Sequence, residues 1–256
     1  MTETRREGPS EGLRSELSST GAHWFEEIAS FLGPAYLRYS FARGTRQEVA
    51  FLVETLDMKP GRRLLDVGCG PGRHALAFAA RGIDVVGVDI SADFVALAAQ
   101  AAPANARFDQ LDARTLSYDR EFDAVISLCQ GAFGLPAAAG DDEAVLDGMA
   151  RALRPGGRLA LSAFSAYFAV RHLEDGEEFD AATGVNHERT SVRNEAGDDR
   201  AVDLWTACFT PRELRLLVER AGLAVVELWS VSPSAYEQAP PSISSPEFLV
   251  IAEKPR

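Results

Sequence analysis

Between residues 63 and 164, compact apolar runs alternate with amphipathic stretches, and this alternation limits the available folds more than any other feature of the chain. The runs "RLLDV", "DVVGVDI", "ARFDQL", "FDAVISLC" and "RLALSAF" read as strands, while "RHALAFAARG", "ADFVALAAQAA" and "DDEAVLDGMARAL" between them carry apolar residues at helical spacing. Strands that are apolar on both faces and separated by helices imply a mainly parallel sheet covered on both sides, because parallel neighbours need crossover connections. The fold class is therefore doubly wound α/β. Further on, Thr210-Pro211-Arg212-Glu213 forms a capping box with proline at the first helical position, opening a helix that stops near Gly222. "AVVELWSVS" and "PEFLVIAE" follow as strands, and they are expected to pair as an antiparallel hairpin at the sheet edge.

Three further segments surround this core. Residues 1–20 are polar and read as a disordered tail. Residues 21–57, with "HWFEEIASFLGPAYL" and "QEVAFLVETL" broken at Gly33-Pro34 and Gly44, read as an N-terminal helical arm of two or three short helices. The main domain then runs over residues 58–256, interrupted after the fifth strand by an insertion at about 165–208. That insertion is acidic around "EDGEEFD" and continues as "VNHERTSVRN" and "RAVDLWTACF" around the turn signal "EAGDD", the pattern of a two-stranded β flap.

The stretch "LLDVGCGPGRHALAFAARGIDVVGVDIS", residues 64–91, places glycines directly after the first strand. A dinucleotide fingerprint needs a third glycine where this series holds Arg73, and a phosphate loop needs a Lys-Ser or Lys-Thr pair that does not follow. Asp66, two residues before Gly68, sets a carboxylate at the mouth of the crevice, where a pyrophosphate is repelled and a ligand carrying an ammonium and a sulfonium is attracted. Asp89 closes the second strand, from where a carboxylate can accept both hydroxyls of a ribose; any adenosine-containing ligand would use it.

Taken with "LDAR", "FDAVISL" and "ALRPGGRLAL" downstream, this stretch resembles the class I S-adenosylmethionine-dependent methyltransferases, most closely over residues 45–165. The resemblance implies a Rossmann-like methyltransferase fold with a seven-stranded sheet, and S-adenosyl-L-methionine as cofactor. It assigns Asp66, Gly68, Cys69 and Gly70 to the turn against the methionine part, with Asp66 acting on the ammonium. It gives Asp89 to the ribose, Ile90 to the adenine face, and Asp112 and Ala113 to the adenine amino group. Leu128 to Gln130 would border the transferring methyl group and the acceptor. Tyr36 and Tyr39 of the arm would touch the methionine carboxylate or the methyl group. The plainer alternatives are helix capping or turn chemistry for Asp66, Asp89 and Asp112, and space filling for Cys69.

Methyl transfer from a sulfonium needs alignment above all, with a general base added when the acceptor is a hydroxyl. His172, after the fifth strand, and His187, in the flap, are the candidate bases together with Tyr39; His74 and His23 read as flanking and structural residues. The formal charge of −12 disfavours contact with phosphate backbones. In place of the Asn/Asp-Pro-Pro-aromatic tetrad common in enzymes that methylate base amines, the fourth strand ends in "LCQGAFG". A small-molecule acceptor methylated on oxygen or nitrogen is therefore expected, with no nucleic acid and no membrane partner. The alternatives are a protein or tRNA acceptor, or a cofactor binder without catalysis. Cys69, Cys129 and Cys208 show no zinc or disulfide spacing, and no apolar run is long enough to span a bilayer, so a cytoplasmic setting is expected. The oligomeric state stays open.

Overall fold

The computed structural model describes residues 23–256, so the tail expected over residues 1–20 lies outside it. In chain order, α1 (Trp24–Leu32) leads through two 3-10 turns, Gly33–Arg38 and Ser40–Gly44, into α2 (Thr45–Thr55). The alternating core follows: β1 (Arg63–Val67), α3 (Arg73–Ala79), β2 (Asp84–Asp89), α4 (Ala92–Gln100), β3 (Ala106–Gln110), β4 (Phe122–Ser127), α5 (Asp141–Ala152) and β5 (Leu153–Ser165). Beyond it come α6 (Ala166–Arg171), β6 (Glu178–Asp180), β7 (Val185–Arg193), β8 (Asp199–Phe209), α7 (Pro211–Arg220), β9 (Ala224–Ser232), β10 (Ala235–Ala239) and β11 (Glu247–Glu253).

The main sheet has the order β10-β9-β11-β5-β4-β1-β2-β3, and β3, β2, β1, β4 and β5 all run parallel. It is a mainly parallel, doubly wound sheet. Its two faces are read directly from strand alternation. Leu64 and Leu249 join Val49 and Leu52 of α2 and Phe78 of α3 in one apolar cluster. Leu65 and Phe248 join Leu146 of α5 and Leu214 of α7 in the other.

Two details depart from expectation. The final strand is not at the edge: β11 inserts between β5 and β9, antiparallel to both, and the short β10 forms an eighth strand outside β9. This interior position explains why "PEFLVIAE" is apolar without alternation, since a strand covered on both faces has no polar side. The flap likewise gains a third short strand, β6, beside the β7–β8 pair.

The flap stands directly over the carboxyl edge of the sheet, because the last residues of β8 pair with the end of β5. Helix α1 lies against it, with Ile28 and Leu32 packed on Val192 and Val202. On its other side the arm reaches α4, where Phe25 and Tyr36 meet Phe94 at ring separations of 6.3 and 4.9 Å. The arm therefore has two parts: α2 is built into the core, and α1 with the flap forms a roof over the strand ends.

Phe248, the second residue of the inserted strand, is fully buried. Phe248→Ala should lower unfolding stability by about 3–5 kcal/mol in a denaturant titration, the usual cost of emptying an aromatic core site.

Candidate functional site

The glycine turn after β1 folds back on β2. The amides of Gly68 and Cys69 both donate to the Val88 carbonyl, at 2.8 and 3.0 Å, which forces the chain into left-handed geometry at Gly68. Gly68 also meets the loop that follows β4. A Cβ on Gly68 would lie 1.9 Å from the Gly131 carbonyl carbon, and one on Gly131 would lie 2.3 Å from the Gly68 oxygen. Only two glycines can approach so closely.

Beside this contact runs a cleft at the carboxyl edge of the strands, the usual ligand position in an open α/β sheet. Gly68, Asp89, Ile90, Asp112 and Ala113 all line it, with His23 and Phe25 of the arm on the opposite wall. Asp89 accepts the amides of Gly70 and Ser91, each at 2.8 Å, through different oxygens. Burial raises its carboxyl to about 6 against the pull of those two amides. Each oxygen keeps a further lone pair, the capacity that a ribose diol needs. Asp112 caps the short turn Ala113–Thr115 and is held by the Arg114 guanidinium, which keeps its carboxyl below the ordinary range.

Asp66 is 2% exposed, and its Oδ2 has no hydrogen-bond partner among the described residues. Burial lifts its carboxyl to about 7, although Arg73 and the Ala75 amide pull it down. A buried carboxylate oxygen left in this state fits a ligand ammonium, supplied directly or through water. Cys69 is buried, with its thiol pushed up by burial and by the nearby Asp66 and Asp89 charges. Tyr36 lies beside Gly70, within 3.7 Å of where a Cβ would stand. The Leu128 side chain belongs to the apolar core, and only its backbone borders the loop, its carbonyl accepting the Gly131 amide. Cys129 and Gln130, between them, both adopt left-handed backbone geometry.

Behind the turn, Glu48 of α2 is 0% exposed. Its Oε2 receives Arg73 Nη1 and His74 Nε2, both at 2.7 Å, while the Ser234 amide donates to Oε1 at 3.0 Å. Burial alone would raise the Glu48 carboxyl, but the His74 hydrogen bond, the Arg73 charge and the Ser234 amide outweigh it and bring it to about 2. Because an ionised carboxylate only accepts, His74 Nε2 carries the proton. Arg73 continues to Thr45 Oγ1 at 2.9 Å and to Cys129 Sγ at 2.9 Å. It therefore joins the arm, the glycine turn and the loop after β4.

The residues expected as bases stand away from the cleft wall. His172 is exposed at the end of α6 and stacks on Phe168. His187 lies flat on Trp205 with Nε2 2.9 Å from Asp203. The Tyr39 hydroxyl accepts the Arg193 amide at the far end of the flap. His23, read as structural, and Gly131, not singled out by its sequence, also border the site. His23 caps α1, with Nδ1 accepting the Phe25 amide and Nε2 donating to the Leu135 carbonyl at 2.9 Å. Gly131 carried one usable signal, a glycine in the short loop four residues past the end of β4.

Glu48→Gln leaves the buried Arg73 without its charge partner and should cost about 3–5 kcal/mol of unfolding stability. Because the folded carboxyl titrates near 2 rather than 4.5, the stability it contributes is complete above about pH 4.5 and fades as pH falls towards 2. The variant should lack that part of the acid dependence in stability curves taken across this range.

A family model described as a methyltransferase domain matches residues 64–157. The methyltransferase GfsG of Streptomyces halstedii is 32% identical over 206 residues, spanning 78% of this chain and 66% of that protein. The 27-O-demethylrifamycin SV methyltransferase of Amycolatopsis mediterranei (strain S699) is 40% identical over 120 residues, 44% of this chain and 42% of that protein. The matches thus span two thirds or less of the length of these relatives. Among solved structures, the CcbJ methyltransferase from Streptomyces caelestis superposes with a TM-score of 0.73 at 20% identity, covering 92% of this chain and 99% of its own. Sequence match, sheet order and cleft agree, and the chain belongs to the class I S-adenosylmethionine-dependent methyltransferase family.

Proposed function

We propose that this protein transfers a methyl group from S-adenosyl-L-methionine to oxygen or nitrogen of a small molecule. The observation that carries the reading is the pair of buried carboxylates beside the glycine turn: Asp66 before it, with an unpartnered oxygen, and Asp89 at the end of β2, holding the Gly70 amide and facing the cleft. Asp66 would hold the ammonium, Asp89 the ribose hydroxyls, and Ile90, Asp112 and Ala113 the adenine. When bound, the cofactor supplies an electrophilic methyl group on a sulfonium. The chain's own task is to align the acceptor with that carbon and exclude water, for which the arm and flap supply a cover.

A small acceptor is supported by the net charge of −12, which works against a polyanionic partner. It also agrees with the relative named for a demethylrifamycin substrate. Among the described residues no helix is long and apolar enough to cross a membrane, and all three cysteines are free. We place the protein in a reducing, cytoplasmic setting on this basis.

Calorimetry with S-adenosylhomocysteine tests the cofactor assignment. Asp89→Ala should weaken binding roughly 10- to 100-fold, the loss of charged hydrogen bonds worth about 1.5–3 kcal/mol; equal affinity of variant and wild type would overturn it. The affinity should also climb with pH. Below about 7 the Asp66 carboxyl is protonated in the free protein and must lose its proton to hold an ammonium. Affinity should therefore rise towards about tenfold per pH unit up to that value and then level, with Asp66→Asn removing the slope near neutrality.

A further inference from the structure

Past Cys129, a second group of buried polar side chains sits at the carboxyl edge of the sheet. Glu247 opens β11 and is 3% exposed, while Tyr236 of β10 is 2% exposed. Ser162 of β5 lies beside both of them. Register sets Glu247 opposite Phe164 and Leu249 opposite Ser162, so the carboxyl and the hydroxyl project from the same face, the one covered by α2. Glu247 Oε2 and the Tyr236 hydroxyl make no well-formed hydrogen bond among the described residues, and the Ser162 hydroxyl is the polar neighbour they share. One serine hydroxyl cannot fill the lone pairs of a carboxylate, so Glu247 keeps the capacity to accept a further donor.

Cys129 stands between this group and the cofactor cleft. Its amide donates to Ser162 Oγ at 2.8 Å, and its sulfur accepts from Arg73 of the glycine turn. Burial pushes its thiol up to about 12, so it stays neutral, with Tyr36 near it on the cleft side and Glu247 and Tyr236 near it on the other. The carboxylate oxygen and the phenol thus lie on the other side of the loop after β4 from the cofactor cleft.

Building on the methyltransferase reading above, we propose that Glu247, steadied by Ser162 and flanked by Tyr236, is the catalytic base of the acceptor site, and that the acceptor is a hydroxyl compound methylated on oxygen. The acceptor oxygen bonds to the methyl carbon as the carbon–sulfur bond breaks, and the sulfur keeps the bonding pair. The hydroxyl proton passes to Glu247 Oε2, so charge and atoms balance. A neutral amine attacks without a base, whereas a neutral hydroxyl becomes a competent nucleophile as its proton is taken, the task this buried carboxylate is placed to perform. Burial and the nearby Glu48 charge raise the Glu247 carboxyl to about 7, against the pull of Ser162 and Arg73, which suits proton transfer near neutrality.

Carbon-13 spectroscopy of the glutamate carboxyls, with Glu247→Gln to assign the signal, provides the test on the intact chain. The two probes are S-adenosylmethionine, whose sulfur is charged, and S-adenosylhomocysteine, whose sulfur is neutral. Glu247 should titrate about one pH unit lower in the charged complex, because a cation at the reacting sulfur favours the carboxylate. Ser162→Ala should shift the same signal upwards, which supplies an assignment if the glutamine variant does not fold. In the S-adenosylhomocysteine complex, phenol should bind more tightly above pH 7 than below, and Glu247→Gln should abolish that dependence. Identical titration in both complexes would remove Glu247 from the reacting centre. Phenol binding that is absent or independent of pH would remove the hydroxyl assignment. Failure of both cofactor forms to bind in calorimetry would instead overturn the methyltransferase reading itself.

Discussion

Glu48 carries a full negative charge into the interior, and three donors from two distant parts of the chain answer it. Arg73 and His74 come from the start of α3, and the Ser234 amide from the turn before β10. An isolated buried carboxylate would be strongly unfavourable, so the arm helix that bears it keeps its place only while these partners keep theirs. Arg73 extends the dependence to Cys129, so the loop that borders the acceptor side is held by the same guanidinium as the arm. The arm, the cofactor turn and the loop after β4 thus form one mechanical unit around a single charge.

The two-glycine contact does comparable work on the other side of the turn. Gly68 and Gly131 touch backbone to backbone, so the position of the loop after β4 is set against β1 rather than left to side-chain packing. Between this contact and the Arg73 hydrogen bond, Cys129 and Gln130 take up left-handed backbone geometry, which is unfavourable for both residue types and persists because its ends are fixed.

How much could be read from the chain follows from the range of the forces involved. The parallel core was legible because each strand and helix announces itself through local periodicity. The glycine turn and its flanking carboxylates were legible because they sit within a few residues of a strand end. Two things were not. The position of β11 between β5 and β9 depends on pairing partners far apart in the chain, and an edge hairpin satisfies the same alternation. Glu48 and Arg73 are 25 residues apart, and a glutamate on a short helix looks like any solvated charge until its partners are seen. Glu247 was hidden for the same reason, as the polar first residue of an otherwise apolar strand.

The roof has a consequence for timing. Helix α1 is seated on the flap through Ile28, Leu32, Val192 and Val202, and the arm's Phe25 and Tyr36 bear on Phe94 across the cleft. Two segments more than 150 residues apart in the chain thus close over the ligand position together. Apolar packing thus stands beside the ligand position as well as polar recognition, so the strength of that packing bears on cofactor exchange independently of the groups that recognise the molecule.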